Sequence, residues 1–246
     1  MRRLLPAALF LVATPLLAQG RFPPDSMKNL QVLPASMSPR EVVDLMRGFT
    51  NSLGVRCVYC HVGEEGQPLN TIDFAKDDRR AKKVAREMYE MMNRINTETI
   101  ARLPERTDTG LRVTCSTCHR GLARPVPIER ILSQAVLASG VDSAVRTYRA
   151  LRTTYFGRAA YDFGEQPVMA VATDLSRQRK FDEALSLLGL DNEFFPKSAN
   201  VMVAMGETYR ARGDTASAIR SYREALARDP QNQQARRGLT QLGQQP

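Results

Sequence analysis

The apolar residues Val42, Leu45, Met46, Phe49 and Leu53 fall three and four apart, the spacing of one helical face. Just before them, Ser38, Pro39, Arg40 and Glu41 form a capping-box sequence with proline at the first helical position. Gly54 supplies the stop. This pattern predicts a helix from Pro39 to about Leu53. A second stripe, Val84, Met88, Met91, Ile95 and Thr99, predicts a longer helix over about Phe74 to Arg102. Pro104 and the polar run ERTDTG close it. The proline-bearing lead RFPPDSMKNLQVLP and the stretch 62–70, with two glycines and a proline, show no helical period and read as irregular connections.

Past RGLARPVP, at 120–127, the pattern changes to alanine-rich helical pairs. Gly206, Tyr209, Ala218, Tyr222, Ala225 and Pro230 fit the small and large contact positions of a tetratricopeptide unit. Ala172, Leu175, Ala184, Leu188 and Pro196 repeat it 34 residues earlier, with Asp191 standing where the later copy has Ala225. A more degenerate unit is expected over 128–156, with helices near Ile128–Ser139 and Asp142–Thr154. Each unit leaves an apolar face that stacking would bury, so three in series are favoured over a generic helical bundle.

The first eighteen residues, MRRLLPAALFLVATPLLA, join a short positive head to an apolar run and a small residue. That layout is a secretory signal with cleavage expected after Ala18. A retained anchor is the alternative, although the run is short for a span of about 20 residues. Removing Arg2 and Arg3 lowers the formal charge from +9 to +7. The remaining excess is spread evenly, with 17 basic and 13 acidic residues over 19–124 and 16 against 13 over 125–246. Such a mild excess suits a soluble protein with acidic partners and not a nucleic-acid binder. The densest basic stretch, KDDRRAKKVAR at 76–86, is expected to be a solvated helix face.

Candidate chemistry is concentrated in RCVYCH at 56–61 and TCSTCH at 114–119. The chain has four cysteines and two histidines, and these two motifs use them all. Two cysteines three apart on a tight turn can each bond one vinyl group of a haem, and the next residue, a histidine, then supplies the proximal nitrogen. Cys57, Cys60, Cys115 and Cys118 are therefore the expected covalent haem sites, with His61 and His119 as iron ligands and two haem c as cofactors. A four-cysteine zinc site would not explain a histidine after both pairs. A redox dithiol would need a βαβ context, which this pattern lacks. Haem attachment of this kind takes place outside the bacterial cytoplasm, in keeping with the leader and with a periplasmic location, free or at the inner membrane.

No histidine is left for the sixth position of either iron. Methionine sulfur is the leading alternative in electron-transfer haems. Met46 lies eleven residues before Cys57 on the apolar face of the first helix, while Met88, Met91 and Met92 all lie on the helix preceding Cys115. Lys76, Lys82 and Lys83 are rarer substitutes. An open sixth position would instead suit a diheme peroxidase-like enzyme, and a redox-sensing repeat scaffold is a third possibility.

The segments LMRGFTNSLGVRCVYCH, AREMYEMMNRIN and VTCSTCHRG, with a proline soon after, resemble the cytochrome subunit of photosynthetic reaction centres over roughly residues 28–127. The resemblance implies that each iron takes its distal ligand from a methionine on the preceding helix. By position these are Met46 for the haem on Cys57 and Cys60, and Met88 for the haem on Cys115 and Cys118. Two departures stand out. The family subunit carries four haems in two halves, whereas this chain has two motifs. Arg102 also stands about where the family has a histidine that serves another haem. The expected architecture is mainly α, with a signal at 1–18, a diheme cytochrome c domain of helix–turn–CxxCH units at 19–124, and a tetratricopeptide-like repeat domain at 125–246. The expected function is one-electron transfer rather than bond chemistry. Redox proteins would be its partners, a membrane-bound electron-transfer complex among the candidates.

Overall fold

The computed structural model describes residues 21–104 and 110–246. The expected leader at 1–18 and most of the ERTDTG run lie outside the described residues. The chain forms two compact units, one ending at Thr117 and the other running Cys118–Pro246. Both are mainly α-helical, and the only β pairing among the described residues is an isolated antiparallel bridge between Val62 and Asp73. No helix among the described residues is long and apolar enough to cross a membrane.

In the first unit, α1 spans Pro39–Leu53. Ser38 Oγ accepts from the Glu41 backbone N–H, and the Ser38 N–H donates to the Glu41 carboxylate at 2.7 Å, which completes the capping box. Gly54 ends the helix in the left-handed region, at φ 65°, a conformation that a side chain would disfavour. The first CxxCH opens on a 3₁₀ turn at Cys57–Tyr59.

Helix α2 runs Arg80–Arg94, so it begins later than the start expected at about Phe74. Residues 74–79 are held out of the helix by side chains. Asp73 accepts from the backbone of Ala75 and Lys76, and Lys82 Nζ donates to the carbonyls of Phe74, Ala75 and Lys76. Those carbonyls would otherwise serve helical N–H groups one turn on. At its C-terminal end α2 continues through a π turn at Ile95–Thr99 and a 3₁₀ turn at Ile100–Arg102. The second CxxCH forms its own short helix, α3, at Cys115–His119.

The second unit stacks seven helices: α4 Ile128–Ser139, α5 Val141–Tyr155, α6 Glu165–Arg177, α7 Phe181–Phe194, α8 Ala199–Arg212, α9 Thr215–Arg228 and α10 Gln233–Gln241. Helices α6 and α8 begin 34 residues apart, and so do α7 and α9, which is the repeat read from the sequence. Leu132, Tyr148, Val168 and Leu187 form one fully buried core, and Val201, Tyr222, Ala225 and Leu239 a second. Gly206 on α8 and Gly238 on α10 let both helices approach the Tyr222 ring, where an added Cβ would stand 2.7 Å and 2.5 Å from ring atoms.

Candidate functional site

The first unit has few buried apolar residues. Within it, only Val42, Ile72 and Ile100 are buried among the described hydrophobic side chains. The apolar stripe of α1 faces a cavity of about 420 Å³ instead, which lies within the range of about 300–1,000 Å³ typical of small-molecule and cofactor sites. Met46, Cys57, Cys60 and His61 all line it, so four of the expected site residues meet at one place. The lead that sequence periodicity left unassigned forms part of the wall through Phe22, Met27, Leu30 and Leu33.

The side chains here are prepared for a bound group. The His61 ring packs edge-on against Phe74, with centroids 4.9 Å apart. Burial lowers its pKa to about 4; the Lys82 and Arg86 charges act the same way, while the Phe74 carbonyl and Asp77 oppose them. The imidazole is therefore neutral and offers a lone pair to a metal rather than a proton to water. Its Nδ1 is buried with no hydrogen-bond partner among the described residues. Burial also raises the Cys60 thiol pKa, and the adjacent Cys57 adds to the shift. Two sulfurs, a neutral imidazole and an apolar cavity that the chain does not fill itself suit a covalently held haem. Among the described residues, no three or more of His, Cys, Asp and Glu are gathered as a zinc site would require.

The second set is arranged differently. Cys115, Cys118 and His119 lie together on α3. His119 Nδ1 lies 2.8 Å from the Leu122 carbonyl. A carbonyl only accepts, so Nδ1 is the donor in this contact and Nε2 is the nitrogen left to face a metal. Met88, with Val84 and Met91, lies on a half-exposed apolar face of α2 and does not line the first cavity. The approach to α3 is fixed by Asn96 in the π turn, whose side chain is paired with the backbone of Val113.

The basic stretch at 76–86 is in part the expected solvated face, with Lys76, Asp78, Arg79, Arg80 and Lys83 exposed, but three of its charged side chains turn inward. Asp77 accepts from Lys82 and Arg86 at 2.8 Å each, and these two side chains are only 12% and 15% exposed. Asn29 and Gln31 from the lead also donate to Asp77. Lys82 is thus fully engaged and is not a spare ligand. No motif marks this cluster, because the partners of Asp77 come from two separate segments, the lead and α2.

The sequence matches the family model described as Photosynthetic reaction centre cytochrome C subunit over residues 18–150, more than half of the chain. A Tetratricopeptide repeat model matches residues 199–242. Among curated proteins, a cytochrome c-554 of Chloroflexus aurantiacus is 36% identical over 92 residues, which are 37% of this chain and 20% of that protein. The photosynthetic reaction center cytochrome c subunit of Thermochromatium tepidum is 38% identical over 102 residues, 41% of this chain and 21% of that one. The match therefore spans about a fifth of each relative's length. Through its cysteine–histidine motifs, the helices that precede them and the extent of this match, the chain belongs to the photosynthetic reaction centre cytochrome c subunit family.

Proposed function

We propose that this protein is an exported diheme cytochrome c that transfers single electrons, with each iron held between a histidine and a methionine. The observation that carries this reading is the apolar cavity lined jointly by Met46, Cys57, Cys60 and His61. Cys57 and Cys60 would hold the first haem covalently and His61 would bind its iron, with Met46 as the distal ligand. Cys115, Cys118 and His119 would do the same for the second, with Met88 as its distal ligand. Bound haem supplies a reversible ferric–ferrous couple. At the first site the chain's own residues keep the His61 imidazole neutral, exclude water with apolar walls and supply thioether sulfur, all of which favour the less charged ferrous state.

In this reading residues 19–124 bear the haems, and the repeats over 125–246 present a docking surface for a redox protein. Stacked helical pairs suit that purpose because they offer an extended concave face. The location would be the periplasm, at or near the inner membrane, where a membrane-bound electron-transfer complex could exchange electrons with it.

A spectroelectrochemical titration of the protein matured in a haem-attaching periplasm tests the reading, with carbon monoxide added at the reduced end. Two haems per chain, both at high potential and indifferent to carbon monoxide, are expected. Rapid carbon monoxide binding at one haem would show an open sixth position, and the carrier reading would fail there in favour of a peroxidase-like site.

A further inference from the structure

We infer that Asp77, Lys82 and Arg86 form a built-in charge element that sets the reduction potential of the first haem site. This rests on the diheme reading above. The three side chains meet in one cluster, with both cations 2.8 Å from Asp77 Oδ1. One carboxylate faces two cations, so the cluster carries a net charge of one positive unit. Lys82 and Arg86 line the same cavity as Cys57, Cys60 and His61. Lys82 Nζ also donates to the carbonyl of Phe74, the residue whose ring packs on His61.

Burial distinguishes this cluster from the other charges at the cavity. Arg47, Arg56 and Lys28 also line it but are exposed, so water and salt screen them. Asp73 is about half exposed and lies beside Lys76. Lys82 and Arg86 are largely shielded from solvent, and a charge in such a place acts over a longer distance. Positive charge beside an iron opposes its oxidation, because the ferric state is the more positive one. The cluster should therefore hold the first potential above the value that ligation and burial would give by themselves.

The cluster is also a mechanical tie. Asp77 receives Asn29 Nδ2 at 3.0 Å and Gln31 Nε2 at 3.1 Å, which pins the lead against the cavity. Charge and tie make different predictions, so they can be separated. Asp77→Asn keeps the shape and removes the negative charge. Arg86→Gln removes one positive charge and leaves Lys82 with its three carbonyl contacts. If charge governs, Asp77→Asn moves one haem wave to higher potential, Arg86→Gln moves the same wave lower, and the other wave stays. If the cluster acts only as a tie, both substitutions loosen the wall, admit water and move the wave downward together.

The experiment is a potentiometric titration of the full haem-loaded chain and its variants. Far-UV circular dichroism and haem absorbance per chain verify that each variant is folded and loaded. Met46→His identifies the wave of the first site. Lys82→Gln provides a second charge-removing variant should Arg86→Gln not load. Opposite shifts support the inference, whereas shifts in one direction, or none, overturn it. If the unsubstituted protein lacks two reversible haem waves, the diheme reading itself fails, a result distinct from any pattern among the variants.

Discussion

The Asn96 side chain is joined to the backbone of Val113 by two hydrogen bonds, donating through Nδ2 to the carbonyl and accepting through Oδ1 from the N–H, each at 2.8 Å. The side-chain amide thus pairs with a backbone amide as a neighbouring strand would, across seventeen residues of sequence. Asn96 lies in the π turn that ends α2, and Val113 precedes Cys115 by two residues. The tie therefore holds the approach to the second attachment motif against the helix that bears Met88. A π turn, rare in general and frequent at functional sites, turns the Asn96 side chain away from the regular helical surface.

Replacing Asn96 with alanine removes both bonds and leaves a half-buried backbone pair without partners. The cost should be about 1–3 kcal/mol, the range for buried polar groups that lose their partners. Chemical denaturation should show that loss. If the chain holds two haems as proposed, haem content per chain should fall toward one in Asn96→Ala, because the second motif loses its anchor while the first keeps its cavity. An unchanged haem count would mean that α3 is held by other contacts.

Tyr222 is fully buried, and an added Cβ at Gly206 would lie 2.7 Å from its ring. Gly206→Ala should gain about 1 kcal/mol of helix propensity and lose about 1–3 kcal/mol through overpacking. A net fall in thermal stability is expected, with the haem spectrum unchanged. Gly189→Ala is the control: it lies on α7 with nothing within 4 Å of the added carbon, so it should be neutral or stabilising.

Much of this was legible because it is local. The capping box at Ser38 and Glu41, the stop at Gly54 and the CxxCH motifs each lie within a few residues, and the repeat period leaves a phase that helix starts must follow. What was not legible depends on distant partners. The start of α2 is set by Lys82 binding carbonyls six to eight residues earlier, which nothing in the apolar pattern marks, so the expected start at about Phe74 was too early. The inward turn of Asp77, Lys82 and Arg86 within the otherwise exposed basic stretch was hidden because Asn29 and Gln31, which help close the cluster over Asp77, lie more than forty residues away. The lead carries no period because it covers a cavity instead of forming an element. The mismatch of Asp191 with Ala225 was visible, but its complete burial was not.

Asp191 on α7 is fully buried, and neither carboxylate oxygen has a hydrogen-bond partner among the described residues. Burial pushes its pKa up to about 7; Glu165 adds to the shift and Arg152 opposes it. The unfolded chain releases this proton near pH 4, so the folded state binds more protons between about pH 4 and 7. Stability from this group is therefore fully present below about pH 4 and is lost as pH rises toward 7. Asp191→Asn should narrow that loss: its stability relative to the unsubstituted protein should climb from pH 4 to 7 and level off above. Urea unfolding at several pH values measures the slope, and a difference independent of pH would mean that the carboxyl finds a partner.

The assignment of the distal ligands gives the sharpest test of the electron-transfer reading. Methionine sulfur stabilises ferrous iron, so a second histidine in its place should lower the potential of that haem alone. Met46 faces the cavity with Cys57, Cys60 and His61, and Met46→His should therefore move one wave downward while the other stays. Met88→His should move only the other wave. The second case is less constrained, because Met88 shares its apolar helical face with Met91, and both are about two-fifths exposed. If Met88→His leaves the second wave in place and Met91→His lowers it, the ligand lies one turn further along α2. That outcome would preserve the carrier and correct the residue. If no methionine substitution on α2 moves the wave, and that haem binds carbon monoxide when reduced, its iron has no methionine ligand, and bond chemistry at an open site becomes the reading to pursue.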